Sequence, residues 1–204
     1  FAQNIFRYFT RAESDTRPVP TIALADPKKS APTSLPVKRL PFEETCGDLF
    51  TPRCSMDEIR SMVDFQGSGL SATPDQVDFV GATGGPEQVT LVYAGEGLNG
   101  TLMLSEQPVS PDSQPVQVAA SATVETVSVG NVTGEYVQGG WFSFDTDDGV
   151  SWNPDPTTQT LRWEANGILY TMSFRAAKMS TGILLDKSAI INLAGNLTVT
   201  MVDI

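Results

Sequence analysis

The stretch Leu161-Arg-Trp163-Glu-Ala-Asn166-Gly167-Ile-Leu-Tyr170-Thr-Met172-Ser-Phe174 leaves less conformational freedom than any other part of this chain. Asn-Gly suits a type I′ turn, whose two central residues both need positive φ. With Asn166 and Gly167 as the loop, Ala165 faces Ile168, Trp163 faces Tyr170 and Leu161 faces Met172. That register gathers the aromatic residues on one face. Arg162, Glu164, Thr171 and Ser173 fall on the other, with Leu169 its one apolar member. Turn chemistry and pleat periodicity specify the same antiparallel hairpin with one buried face.

Other segments carry the same signature. Val89, Leu91 and Tyr93 alternate with polar residues, a glycine-rich loop follows, and Leu102 and Leu104 alternate again, which predicts a second hairpin. Val116 to Val129 and Val132 to Phe144 read as further strands broken by Gly130, Gly134 and Gly139-Gly140. Two segments have helical character instead. Ser55-Met-Asp-Glu58 is a capping box opening a helix to about Asp64, with Met56, Ile59, Met62 and Val63 on one stripe. Asp186 caps a helix through Leu197, after which Thr198 to Ile204 reads as a last strand. The expected fold is α+β: an antiparallel β-sheet of hairpins with one or two helices packed on one face, preceded by an extended Pro-rich segment.

That extended segment divides the chain. Six prolines between Thr16 and Phe42 preclude a helix or central strand, because each removes a backbone donor and restricts the residue before it. Residues 16–44 are therefore read as a tether, extending at roughly 3.1 Å per residue if polyproline-like. Residues 45–204 are read as a single domain. In residues 1–15, Phe1, Ile5, Phe6 and Phe9 recur at helical spacing, with Asn4 and Arg7 between them and Arg11 following. This predicts an amphipathic helix of juxtamembrane type, and a helix packed on the domain fits the same spacing.

Cys46 and Cys54 are the only cysteines, and seven residues including Gly47 and Pro52 lie between them. The spacing suits a small disulfide loop contributing about 2 to 3 kcal/mol in the chain-entropy model. A disulfide implies an oxidising compartment, periplasmic or cell-surface. Lying between Pro41 and the Ser55 cap, it is expected to fasten the tether to the domain. Three Asn-x-Thr sequons, at Asn99, Asn131 and Asn196, also leave a glycosylated secretory origin open.

Charge and residue types narrow the chemistry. Residues 1–44 hold seven Lys/Arg against five Asp/Glu, leaving six against nineteen in the domain out of totals of 13 and 24. An acidic domain repels phosphate backbones, so no nucleic-acid partner is expected. The chain has no histidine, which removes His-based triads and imidazole zinc sites. No phosphate loop or dinucleotide fingerprint occurs. No catalytic residue or cofactor is therefore expected. Asp145, Asp147 and Asp148 form a weak calcium candidate, though Gly149 breaks the EF-hand spacing. Trp141, Phe142, Phe144 and Trp152 flank that acidic loop. They are candidates for a partner-binding surface together with Phe1, Ile5, Phe6 and Phe9 at the N-terminus; core packing explains aromatics on alternating strand positions equally.

Several motifs resemble a family: Phe1-Ala-Gln-Asn-Ile-Phe6-Arg-Tyr-Phe9 followed by Arg11-Ala-Glu-Ser-Asp15, Val89-Thr-Leu-Val-Tyr93, Gly134-Glu-Tyr-Val-Gln-Gly139, Thr160-Leu-Arg-Trp163, and Leu185-Asp-Lys-Ser-Ala-Ile-Ile-Asn-Leu-Ala-Gly-Asn-Leu197. The chain is similar to the bacterial extracytoplasmic domains of unknown function found after the single membrane helix of anti-sigma-factor-like proteins. The resemblance implies a membrane helix upstream of Phe1, a membrane-tethered extracytoplasmic location, and a sensing or scaffolding role with no catalytic residues. The function expected is a non-catalytic sensing domain with a protein partner at or near the membrane. The alternatives are a structural accessory subunit of a larger envelope complex and a carrier of an apolar ligand.

Overall fold

The computed structural model describes residues 8–17, 45–70, 73, 77–111, 113–143, 149–177 and 184–199. Its centre is an antiparallel sheet built from β4 (Asp78–Gly85), β5 (Gln88–Ala94), β6 (Thr101–Pro108), β13 (Ile168–Arg175), β12 (Thr158–Ala165), β9 (Val132–Gln138) and β8 (Val124–Val129), in that spatial order. The Asn166-Gly167 hairpin is its middle. Both loop residues have positive φ, 53° and 75°, and the pairs Ala165–Ile168, Trp163–Tyr170 and Leu161–Met172 all form. The second expected hairpin is the β5–β6 pair.

One face of this sheet carries the main core. Leu91, Leu102, Leu104, Leu161, Trp163, Met172 and Phe174 are buried there by strict alternation along their strands. Two helices cover it. In α1 (Met56–Met62) the capping box forms, with Ser55 Oγ accepting from the Glu58 amide and the Glu58 carboxylate accepting from the Ser55 amide; the helix buries Ile59. In α2 (Lys187–Gly195), Asp186 accepts from the Ala189 amide, and the helix buries Ile190 and Ala194. The fully buried Gln159 accepts from Tyr136 Oη at 2.7 Å and donates to Leu185 O at 2.6 Å, fixing the entry to α2. After each helix the chain enters a short ribbon, β3 (Ser68–Leu70) paired with β14 (Leu197–Val199).

On the opposite face, the described strands that form a cover lie at the β9 end. There β1 (Phe9–Arg11) pairs in parallel with β7 (Val116–Val118), and β2 (Thr16–Arg17) joins β11 (Val150–Asn153) and β10 (Gly140–Ser143). A second apolar cluster of Phe9, Val118, Ala119, Ala122 and Val137 fills the gap.

Several expectations need correction. Phe9–Arg11, expected in a helix over 1–15, is a strand, because long-range partners claim its backbone. Glu135 Oε2 accepts from the Tyr8 and Phe9 amides at 2.8 and 3.0 Å, and Arg162 donates to Tyr8 O at 2.7 Å. The tether read as starting at residue 16 begins with a strand, β2, while 18–44 lie outside the described residues. Val116 to Val129 is two strands, since the chain turns at Ala119–Ala122 to pass from the back ribbon to the main sheet. The break expected at Gly139-Gly140 falls at Gly139, with φ 107°, whereas β9 runs unbroken through Gly134. The final helix stops at Gly195, and its following strand begins at Leu197.

The disulfide is also placed differently. Cys46 and Cys54 are bonded, with Cα atoms 4.8 Å apart, and are 0% and 3% exposed within the main core. Cys54 bridges Ala82 of β4 in both directions, its amide donating to Ala82 O and its carbonyl accepting from the Ala82 amide. The staple therefore closes the sheet edge.

Candidate functional site

The nine-residue loop closed by this disulfide is held firmly against β4. Thr83 Oγ1 donates to Gly47 O at 2.7 Å, and a Cβ on Gly81 would stand 2.9 Å from Pro52 O, so only glycine admits the loop this closely. Within the loop, Asp48 Oδ1 accepts from the Thr51 amide at 2.8 Å, the Phe50 amide at 2.9 Å and Thr51 Oγ1 at 3.1 Å. These bonds, led by the Thr51 and Phe50 amides, hold the Asp48 carboxyl below its ordinary range. The turn they build presents Leu49 and Phe50 outward, 48% and 94% exposed.

Beside them β4 carries a bulge. Its register shifts between Phe79 and Gly81, and the extra residue, Val80, is left 52% exposed. Loop and bulge form one wall of an open groove of about 590 Å³ on the sheet face away from the helices. Val92, Ala94 and Met103 form its floor, Ala176 and Ala177 its far side, and Arg175 is the one charged residue lining it among the described residues. An exposed apolar wall along an apolar groove is the usual signature of an interaction surface.

Of the residues singled out from sequence, the described ones do not line this groove. Trp141 and Trp152 pair across β10 and β11, edge to face with ring centres 5.5 Å apart, and pack on the second apolar cluster. Trp141 Nε1 donates to Gln117 O at 3.0 Å, and the Arg17 guanidinium stacks 4.0 Å from its ring. Phe142 is half-buried, with Arg175 5.3 Å from its ring centre. Phe9 is 4% exposed and offers no surface to a partner or membrane, which corrects that assignment. Phe1, Ile5, Phe6, Phe144, Asp145, Asp147 and Asp148 lie outside the described residues. Among the described residues, no group of three acidic or thiol side chains is placed to hold a metal ion, and no helix is long and apolar enough to cross a membrane.

A second chemical feature sits in the main core. Glu106 follows Leu102 and Leu104 on the inward face of β6 and is fully buried. Oε2 accepts from the Ser68 amide at 2.8 Å, while Oε1 has no hydrogen-bond partner among the described residues. Burial pushes its carboxyl up to about 7, opposed by the Ser68 hydrogen bond and by Arg60. The sign of the stability effect follows. Between the ordinary value of 4.5 and about 7, the native protein keeps a proton that the unfolded chain has lost. Stability from this group is complete below that window and is lost as pH rises through it, by about 3 kcal/mol in total. Urea unfolding of wild type and Glu106→Gln between pH 4.5 and 8 checks this: the wild-type midpoint should fall relative to the variant.

Comparison with known proteins gives no match: no family model, no curated protein and no solved structure is significantly similar to this chain.

Proposed function

We propose that this chain is a non-catalytic binding domain of an oxidising, extracytoplasmic compartment that takes a protein partner on the groove beside its disulfide loop. The observation carrying this reading is Phe50, 94% exposed on a loop that a buried disulfide and the Asp48 turn hold in place. An aromatic presented on a preorganised loop loses little entropy on docking and is a typical anchor of protein interfaces. The occupant that fits is an extended segment with apolar side chains for Ala94 and Met103 and an acidic group for Arg175. The Cys46–Cys54 bond supports the compartment. The wider reading, a sensing domain of a membrane-anchored, anti-sigma-factor-like protein, rests on the motif resemblance and on the acidic surface.

Two measurements test the docking face. Phe50→Ser should change unfolding free energy by no more than about 0.5 kcal/mol, because the ring contributes almost nothing to the fold. In native cells, a photo-crosslinking residue at position 50 should trap one discrete protein adduct that Met103→Asp abolishes. No adduct, or one that persists with Met103→Asp, would remove the groove from consideration.

A further inference from the structure

The β3–β14 ribbon is a separate two-stranded element, with no ladder pairing to the main sheet among the described residues. Its polar attachments come from three adjacent strands. Glu106 of β6 accepts from the Ser68 amide at 2.8 Å, Tyr170 of β13 shares a 3.0 Å hydrogen bond with Ser68 Oγ, and Tyr93 Oη of β5 accepts from the Leu70 amide at 3.4 Å. Both helices run directly into this ribbon, α1 before β3 and α2 before β14. A cavity of about 130 Å³ lies at its end, lined by Ser68, Leu197, Trp163, Tyr170, Asn131 and Asn166.

We propose that the Glu106 carboxyl is a proton-operated latch that fastens the β3–β14 ribbon, and with it the ends of both helices, to the sheet. In the closed ribbon one carboxyl oxygen is bonded to Ser68 and the other is buried without a partner among the described residues. A buried oxygen bearing charge and no donor is far more costly than a neutral one, so closure selects the protonated acid. Opening admits water to Oε1 and favours the carboxylate, which releases the proton. The titratable and charged groups facing Glu106 do not offset this. Tyr170 lies opposite it in register and Tyr93 is nearby on β5; burial raises both phenols, which therefore stay neutral. From β3 comes Ser68, and from α1 comes Arg60, a partial counter-charge that is itself bonded to Asp57 at 3.1 Å. The carboxyl's buried value of about 7 places the latch in the range a cell-surface protein meets. Ribbon opening then exposes Tyr170 and widens the cavity beside it as pH rises. This latch is independent of the groove on the opposite face.

Amide hydrogen exchange followed by NMR on the full chain tests it, after correction for intrinsic exchange rates. The opening constants of Ser68, Gly69 and Leu70 should rise on the order of 50-fold from pH 5 to 8 and exceed those of β12 and β13 at every pH. In Glu106→Gln the ribbon constants should be flat with pH. In Tyr170→Phe they should rise equally at all pH values with the slope kept, so this variant and the wild type decide the matter if Glu106→Gln does not fold. A flat wild-type profile, a slope surviving in Glu106→Gln or lost in Tyr170→Phe, or ribbon and central strands sharing one opening constant would each overturn the latch.

Discussion

Trp163→Ala is expected to lower the unfolding free energy by about 3 to 5 kcal/mol, the range for removing a buried aromatic from a packed core. Trp163 is 2% exposed at the centre of the sheet, between β13 and β9, and stacks on Tyr170 with ring planes 10° apart and centres 5.1 Å apart. Truncation removes the transfer free energy of the indole and its stacking with Tyr170, and leaves a void next to an existing cavity. The backbone around it has no room to collapse: a Cβ on the facing Gly134 would already meet Arg162 O at 2.8 Å. Urea unfolding monitored by circular dichroism measures the loss. A change below about 1 kcal/mol would mean that the hairpin is not the centre of the cooperative unit.

Replacing both Cys46 and Cys54 by serine is expected to cost about 3 to 5 kcal/mol. Releasing a loop of this length accounts for about 2.5 kcal/mol in the chain-entropy model, and burying two serine hydroxyls adds to it. The position of the bond decides where the damage falls. A staple between tether and domain would loosen the N-terminal part while leaving the Asn166-Gly167 hairpin folded. With both sulfurs buried in the main core and Cys54 bridging Ala82, the loss is expected to propagate into β4 and lower the melting temperature of the whole sheet. Calorimetry of the double variant against wild type under reducing and oxidising conditions separates the two outcomes. A normal sheet transition with a loosened loop would return the disulfide to the tether.

The elements legible in the sequence are those whose determinants are local. Asn166-Gly167 and its flanking alternation sit within fourteen residues, and Ser55 and Glu58 within four, so the hairpin register and the capping box are both written in adjacent residues. The short loop between Cys46 and Cys54 is legible for the same reason, but its burial is not, because Ala82 and Met62 supply it. β1 is illegible locally, since its seat is made by Glu135 and Arg162, more than 120 residues away. Helical spacing in the N-terminal segment misleads for that reason. The candidate groove is hidden too. Val80 is exposed only because β4 bulges, and no periodicity distinguishes that from an ordinary strand position. Glu106 is the opposite case. Its parity with Leu102 and Leu104 places a carboxylate on a buried face, a local conflict legible from the strand pattern alone.

The clamp on β1 also dictates an order of events during synthesis. Tyr8 and Phe9 leave the ribosome before their partners do: Glu135 follows 127 and 126 residues later, and Arg162 is 154 residues beyond Tyr8. At roughly 5 to 20 residues per second, the strand waits on the order of 10 s or more for the guanidinium that completes its seat. Phe9 is therefore an apolar side chain without its full pocket until Val137 has been made. Any nascent chain cut short before Val116 carries β1 without its partner strand β7, as an unpaired edge prone to join a neighbouring molecule.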